Sequence, residues 1–326
     1  MALRNPPFCM GAKDRKLWRW DWEGCQFPRT RSAQPPFAMT TRHPPLLPQQ
    51  IAPVDDRQSA LTALHLGGDP AALFNYFMAL RGESDRALAG LPPAGGKPYP
   101  YGRCEEITRD LFARLSQRLA QPAGPVERAL RAFVEGGGVL QSVWGVLRRQ
   151  YFQNALQIGA LYVDVSNDTV VVTKPKVEIL PIAESGLVPV RDLDHFRQTA
   201  ERYWGATLYA NHLAPTLAPL LPLLSVSPGR LAPGLQSACD YMIALMCRDR
   251  FAQAERWLET GPAPPADLAE ACLSAIPADL RPLTGLPRLE AVAACRRARE
   301  AACWADPDWR TARVLDYLRL MRGPGG

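Results

Sequence analysis

The chain has no CxxC pair, no P-loop, no GxGxxG, no GxSxG and no HExxH. These absences remove zinc-knuckle and dithiol redox chemistry, the usual phosphate cradles, the nucleophile elbow and the zincin site. A long apolar run is missing too. The longest apolar region, Leu213 to Val226, is cut by Pro215, Pro219 and Pro222 and is too short to span a bilayer. Basic residues near the start are followed by no continuous apolar stretch, so no secretory signal is expected there.

Charge of one sign is scarce outside the first residues. The net charge is +6, and residues 1–38 supply +4 of it through Arg4, Lys13, Arg15, Lys16, Arg19, Arg29 and Arg31 against Asp14, Asp21 and Glu23. The rest of the chain is nearly neutral, so no global field for nucleic acid is expected. Residues 1–38 also carry Trp18, Trp20 and Trp22 without a helical period. The expectation is an extension over residues 1–53, with Met39 as an alternative start of synthesis. Any nucleic-acid or membrane-surface binding rests on residues 1–38 alone.

Cysteines stand at 9, 25, 104, 239, 247, 272, 295 and 303, scattered rather than paired. Cys239 and Cys247, like Cys295 and Cys303, lie two helical turns apart, which suits small apolar side chains on a helix face better than metal ligands. Reduced thiols in a cytoplasmic protein are expected.

What the chain does have is 47% hydrophobic residues and an abundance of proline, 32 residues, set between apolar runs. Such prolines punctuate, dividing the chain into short helices. Apolar periodicity predicts helices over 55–66, 70–81, 84–91, 103–119, 125–133, 139–157, 191–204, 235–247, 251–259, 267–275, 289–302 and 309–321. Asp69-Pro70 is a helix start, and Gly136-Gly137-Gly138 is a stop. Leu161 to Val165 and Thr169 to Thr173 are β-prone around Ser166-Asn167-Asp168, with a further short strand expected over 176–182. The predicted fold is therefore mainly α. Helical hairpins lie on both sides of a small central antiparallel β-hairpin or three-stranded meander, in a single domain over 54–326 with a possible division near 225–232.

Segments 73–91 and 238–258 resemble tetratricopeptide units, each having a small residue (Ala87, Ala254) followed four later by Leu (Leu91, Leu258), without that family's full pattern or period. Candidate chemistry gathers at the centre. Asp164 and Asp168 are oxygen ligands suited to a hard cation, and an aspartate pair at a strand end resembles that of nucleotide-sugar transferases, which hold a metal on a diphosphate. His195, behind Asp192 and Asp194, and His212, behind Asn211, are candidate general bases by residue type. Asn154, Tyr162, Asn167, Tyr203, Trp204, Tyr209 and Asn211 mix aromatic and amide groups as sugar or nucleotide pockets do. No metal site is expected from spacing, and no cofactor is identifiable. The leading expectation is a cytoplasmic helical adaptor that binds a protein partner. The alternative is an enzyme with a metal- or sugar/nucleotide-binding site between the hairpin and residues 191–212.

Overall fold

The computed structural model describes residues 46–94, 96–226, 234–235 and 239–322. Met39 and the charged and tryptophan-rich stretch before it lie outside the described residues, as does most of the possible boundary at 225–232. Four helices come first: α1 (Asp56–Leu66), α2 (Pro70–Leu88), α3 (Cys104–Ala120) and α4 (Pro125–Glu135). Asp55 and Asp69 cap α1 and α2 by accepting from Gln58 N and Ala72 N. The two segments expected on either side of Gly82 are one continuous helix, α2, so the tetratricopeptide-like hairpin over 73–91 does not form. Gly82 meets only the flexible end of Arg86, and its cost in a helix interior is outweighed by the burial of Phe77, Leu80 and Arg81 around it.

The main correction concerns residues 139–157. Instead of a helix, they form β1 (Leu140–Leu147) and most of β2 (Tyr151–Ile158), paired antiparallel with Leu147 opposite Tyr151. With β3 (Leu161–Asp164), β4 (Glu178–Pro181) and β5 (Leu187–Val188) they make a sheet in the order β4-β3-β2-β1-β5. Only the short α5 (Ile182–Ser185) separates β4 from β5, although they occupy opposite edges, so the sheet is curled. Both of its faces are buried. Leu156, Ile158 and Val163 pack under α1–α4, whereas Val143, Leu147, Tyr151 and Ala155 fill the inside of the curl. Two buried faces erase polar alternation, and Val143, Val146 and Leu147 then mimic a helical stripe.

Local devices close the sheet. Gly145 lets β5 approach, because a Cβ there would collide with the Val188 carbonyl oxygen. Gly159, at φ 58°, turns β2 into β3 beneath Thr62 and Phe133. Residues 46–52, assigned to the extension by sequence, instead run along β1. Gln49 O accepts from Trp144 N at 2.9 Å, and the buried Gln157 amide pairs with both Ala52 N (2.8 Å) and Ala52 O (2.9 Å).

Beyond the sheet lie α6 (Leu193–Trp204) and a second sheet of β6 (Thr207–Ala210), β7 (Leu223–Val226) and β8 (Gly234–Leu235), which the prolines of 213–229 concealed. Helices α7 (Asp240–Arg248), α8 (Ala252–Thr260), α9 (Ala266–Ala275), α10 (Pro287–Glu300) and α11 (Pro307–Arg322) complete the chain. The chain is thus rich in helix, as expected, but its five-stranded sheet is larger than the hairpin or three-stranded meander predicted. The two halves meet on one face of β2, where α3 sits over its end and α6 over Phe152. Among the described residues no helix is long and apolar enough to cross a membrane.

Candidate functional site

The segment 165–177 leaves the sheet after β3 and returns at β4. Residues 169–173, expected as a strand, form turns instead, with Thr169 N and Oγ1 both donating to Ser166 O. Their β-branched side chains favour strands only where a neighbouring strand is available, and β4 has already taken the free side of β3.

The base of this segment is fixed from two directions. On one side, the Asp164 carboxylate is fully buried and accepts from Gln153 Nε2 (2.8 and 3.0 Å), Tyr162 OH (2.9 Å), Ser166 N (2.8 Å) and Ser166 Oγ (3.2 Å). Burial pushes Asp164 up to about 6, with those donors opposing the rise. Ser166 Oγ stands equally close to Asn154 O, at 3.2 Å, which shares its single proton with Asp164, and it lies 3.4 Å from Thr108 Oγ1, which links the cluster to α3.

On the other side stands Arg81 of α2, with no exposed surface. Its guanidinium grips both oxygens of Asp168 (2.7 and 3.1 Å), donates to Val165 O at 2.8 Å and reaches Asp85 at 2.7 Å. Burial disfavours the charge on Arg81, but Asp168 and Asp85 more than compensate and hold it above its ordinary value. Burial raises Asp85, and Lys176, Tyr99 and Arg81 together bring it below the usual carboxylate range. Lys176, near the far end of the segment, is therefore tied to the same helix. Asn167 Nδ2 closes the base by donating to Pro175 O at 3.0 Å.

Above this base the tip is open. Val171 is 40% exposed and Val172 59%, whereas residues 162–169 are all buried. Lys174 leans back on the sheet, donating to Tyr151 OH at 3.1 Å.

The other residues singled out from sequence lie elsewhere. His195 is in the first turn of α6, where its backbone N–H donates to the Asp192 cap (2.7 Å) and its Nδ1 accepts from Arg191 N (3.3 Å). His212 is buried, with Nε2 2.9 Å from Leu258 O. Burial lowers both histidines, assisted by Arg191 for His195 and by Arg288 for His212. Asn211 donates to Leu221 O and accepts from Ala214 N, bracing the turn between β6 and β7. Tyr203 and Trp204 join an aromatic cluster with Phe152, Trp144 and Phe196, and Tyr209 packs at the edge of the same core. Asn154 Nδ2 donates to Cys104 Sγ. The structure thus joins Tyr162, Asp164 and, through its carbonyl, Asn154, and sets Asp168 on Arg81. His195 and His212 take their hydrogen bonds within the other half. Among the described residues no group of three or more His, Cys, Asp or Glu is placed to hold a metal ion.

Sequence reasoning passed over Arg81, Gln153, Thr108 and Ser166. Arg81 left a signal: it sits one turn beyond Phe77 on the apolar stripe of α2, with Asp85 one turn further. A cation on a core-facing stripe implies a buried acidic partner. Neither a family model, nor a curated protein, nor a solved structure matches the chain.

Proposed function

We propose that this chain is a protein-binding module and that segment 165–177 is its contact element. The observation that carries this reading is the contrast between base and tip. A fully buried arginine, two buried aspartates and the ring of donors around Asp164 fix a loop whose end presents Val171 and Val172 to solvent. A loop rooted on helix and sheet presents its side chains with little entropy left to lose, which favours specific contact over induced ordering. Asp164, Asp168, Tyr162 and Asn167 act in this reading as positioning residues. Their polar atoms are directed into the protein, where they hold the loop.

Affinity capture from the source cell with the wild-type chain and with Val171→Asp/Val172→Asp tests it. The wild type is expected to retain one stoichiometric partner that the variant loses, with the melting temperature of the variant unchanged because both positions are exposed. Equal capture by the two proteins overturns the loop as contact element. A wild type that retains no protein, yet is stabilised by an ion or nucleotide in a thermal-shift screen, overturns the adaptor reading in favour of the enzyme alternative.

A further inference from the structure

The turn between β1 and β2 is built from residues that its shape disfavours. Arg148 and Arg149 both take left-handed backbone, at φ 50° and 58°, where a tight hairpin favours glycine or asparagine. Strain of this kind persists only where something else holds it, and it gathers at binding sites. For Arg148 the hold is inside the protein. Its guanidinium meets Glu178 at 2.7 Å and donates to Ser185 O at 3.2 Å. Arg149 has no such hold: its side chain is exposed and makes no hydrogen bond or ion pair among the described residues. Only its backbone carbonyl is engaged, by Arg202 Nη1 of α6, which brings a second exposed guanidinium to the turn. A carbonyl orients a guanidinium without cancelling its charge.

A third cation arrives from segment 165–177. Lys174 Nζ lies 3.1 Å from Tyr151 OH, and the Tyr151 ring stands 5.7 Å from that of Tyr203. Arg149 is two residues before Tyr151, and Arg202 is one residue before Tyr203. The three cations therefore border one tyrosine pair, beside the segment that exposes Val171 and Val172. Most carboxylates of this region are engaged. Glu178 holds Arg148, Glu201 holds Arg197 with both oxygens at 2.9 Å, and Glu105 meets Arg109 at 3.5 Å. Glu184 of α5 is exposed and makes no ion pair among the described residues, a single charge against those of Arg149, Arg202 and Lys174.

We infer that this basic border belongs to the same contact surface as Val171 and Val172, and that the partner protein meets it with aspartate and glutamate side chains. The inference rests on segment 165–177 being the contact element. On this account the fold bears the strain at Arg149 because the side chain serves the partner. Glycine would suit the turn better and offer the partner nothing. Three cations beside exposed valines suit a protein surface. Nucleic acid is tracked by a longer run of cations, and outside residues 1–38 the chain is nearly neutral.

Fluorescence anisotropy of a labelled oligoglutamate peptide, titrated with the full chain at low salt, tests this. The peptide should bind, with an affinity that falls as salt screens the contact. Arg149→Gly/Arg202→Gln should weaken binding about tenfold. Arg149→Gly alone should weaken it severalfold while stability in urea rises, a combination that a merely structural residue does not give. Arg149→Lys, which returns the charge to the same backbone, should bind as wild type does. Val171→Ser/Val172→Ser should leave the peptide affinity unchanged, yet lose the partner captured from the source cell. Capture that ignores the valines thus counts against the contact segment, whereas peptide binding that ignores the arginines counts against the acidic partner. Unchanged peptide affinity in Arg149→Gly/Arg202→Gln assigns the binding to the basic residues between Arg4 and Arg31 and overturns the inference. So does the absence of peptide binding at low salt. A DNA duplex of equal charge that binds more tightly than the peptide, and is released by the same two substitutions, assigns the surface to nucleic acid and overturns it as well.

Discussion

The two halves of this protein solve the same packing problem with different materials. Around the curled sheet, the interior contains an ionised arginine, aspartates and amides: Arg81, Asp164, Asp168, Gln153 and Gln157 are all buried. Around α7, α8 and α10, the interior is Tyr241, Met242, Leu245, Met246, Phe251, Leu258 and Cys295, with Asn211 and His212 as its buried polar members. The cysteines there are free, and burial raises Cys295 to about 12 and Cys247 to about 11, so they act as small apolar side chains. An apolar core gains stability from area and tolerates change in shape. A polar one gains position, since each bond has a direction, and it is brittle when one member is lost. Segment 165–177 rises from the polar half.

That difference sets the largest expected effect. Arg81→Met leaves the buried Asp168 with an uncompensated charge, while Asp85 keeps Lys176 and Tyr99, at a cost of about 3–5 kcal/mol. Urea unfolding should show it, and Arg81→Met/Asp168→Leu should recover a large part, because the stranded carboxylate is then gone. A double variant no more stable than the single one would mean that the pair does more than neutralise itself. In the other half, Leu245→Ala removes buried area without stranding a charge and should cost about 2–5 kcal/mol. No second substitution of opposite polarity should rescue it. Rescue is therefore expected in the polar half alone.

Acid should separate the halves next. Burial raises Asp164 to about 6, above the 3.8 it has when unfolded, so its contribution to stability is full below pH 3.8 and is lost as pH rises through 6. The loss is on the order of 3 kcal/mol. His195 and His212 have the opposite sign. Both are depressed below 6.5, so the stability they contribute is present above 6.5 and falls away as pH drops. Asp164→Asn should therefore remove a decline in stability between pH 4 and 6, whereas His212→Gln should remove a loss on acidification. Unfolding curves from pH 4 to 8 would show both. If the two variants shift the pH profile in the same direction, the assignment of opposite signs to the two halves fails.

Much of the helical scaffold was legible from periodicity, with α3, α4, α6 and α8–α11 close to their expected spans, because each has one buried stripe and a clear proline, glycine or aspartate boundary. β3 and β4 were legible from Val163, Val165, Val177 and Ile179. What was hidden had physical causes. Residues 140–158 are buried on both faces, so they show no alternation. β7 follows a proline-rich stretch in which Leu217 to Leu221 make turns. At the candidate site, Asp164, Asn167 and Asp168 drew attention as polar residues near a turn, but their meaning depended on Arg81 and Thr108. These arrive from α2 and α3, far away in sequence, and no spacing rule connects them.

The β1–β2 connection was hidden for a further reason, and it yields the smallest prediction. A tight hairpin with left-handed residues ordinarily announces itself with glycine or asparagine. Here Arg148 and Arg149 take those places, at φ 50° and 58°. Arg148 has tertiary bonds that keep it there: Nε donates to Ser185 O at 3.2 Å, and Nη2 meets Glu178 at 2.7 Å, holding the turn against the β4–β5 seam. The Arg149 side chain is exposed, and its backbone carbonyl accepts from Arg202 of α6, a bond that glycine in its place would keep. Arg149→Gly should thus relieve left-handed strain of about 1–2 kcal/mol, less the greater backbone entropy glycine loses on folding. A net gain of about 0.5–1 kcal/mol is expected in urea unfolding. Arg148→Gly, which breaks the seam as well, should give no gain. If Arg149→Gly destabilises the chain, the Arg149 side chain makes a contribution that its exposed position does not reveal.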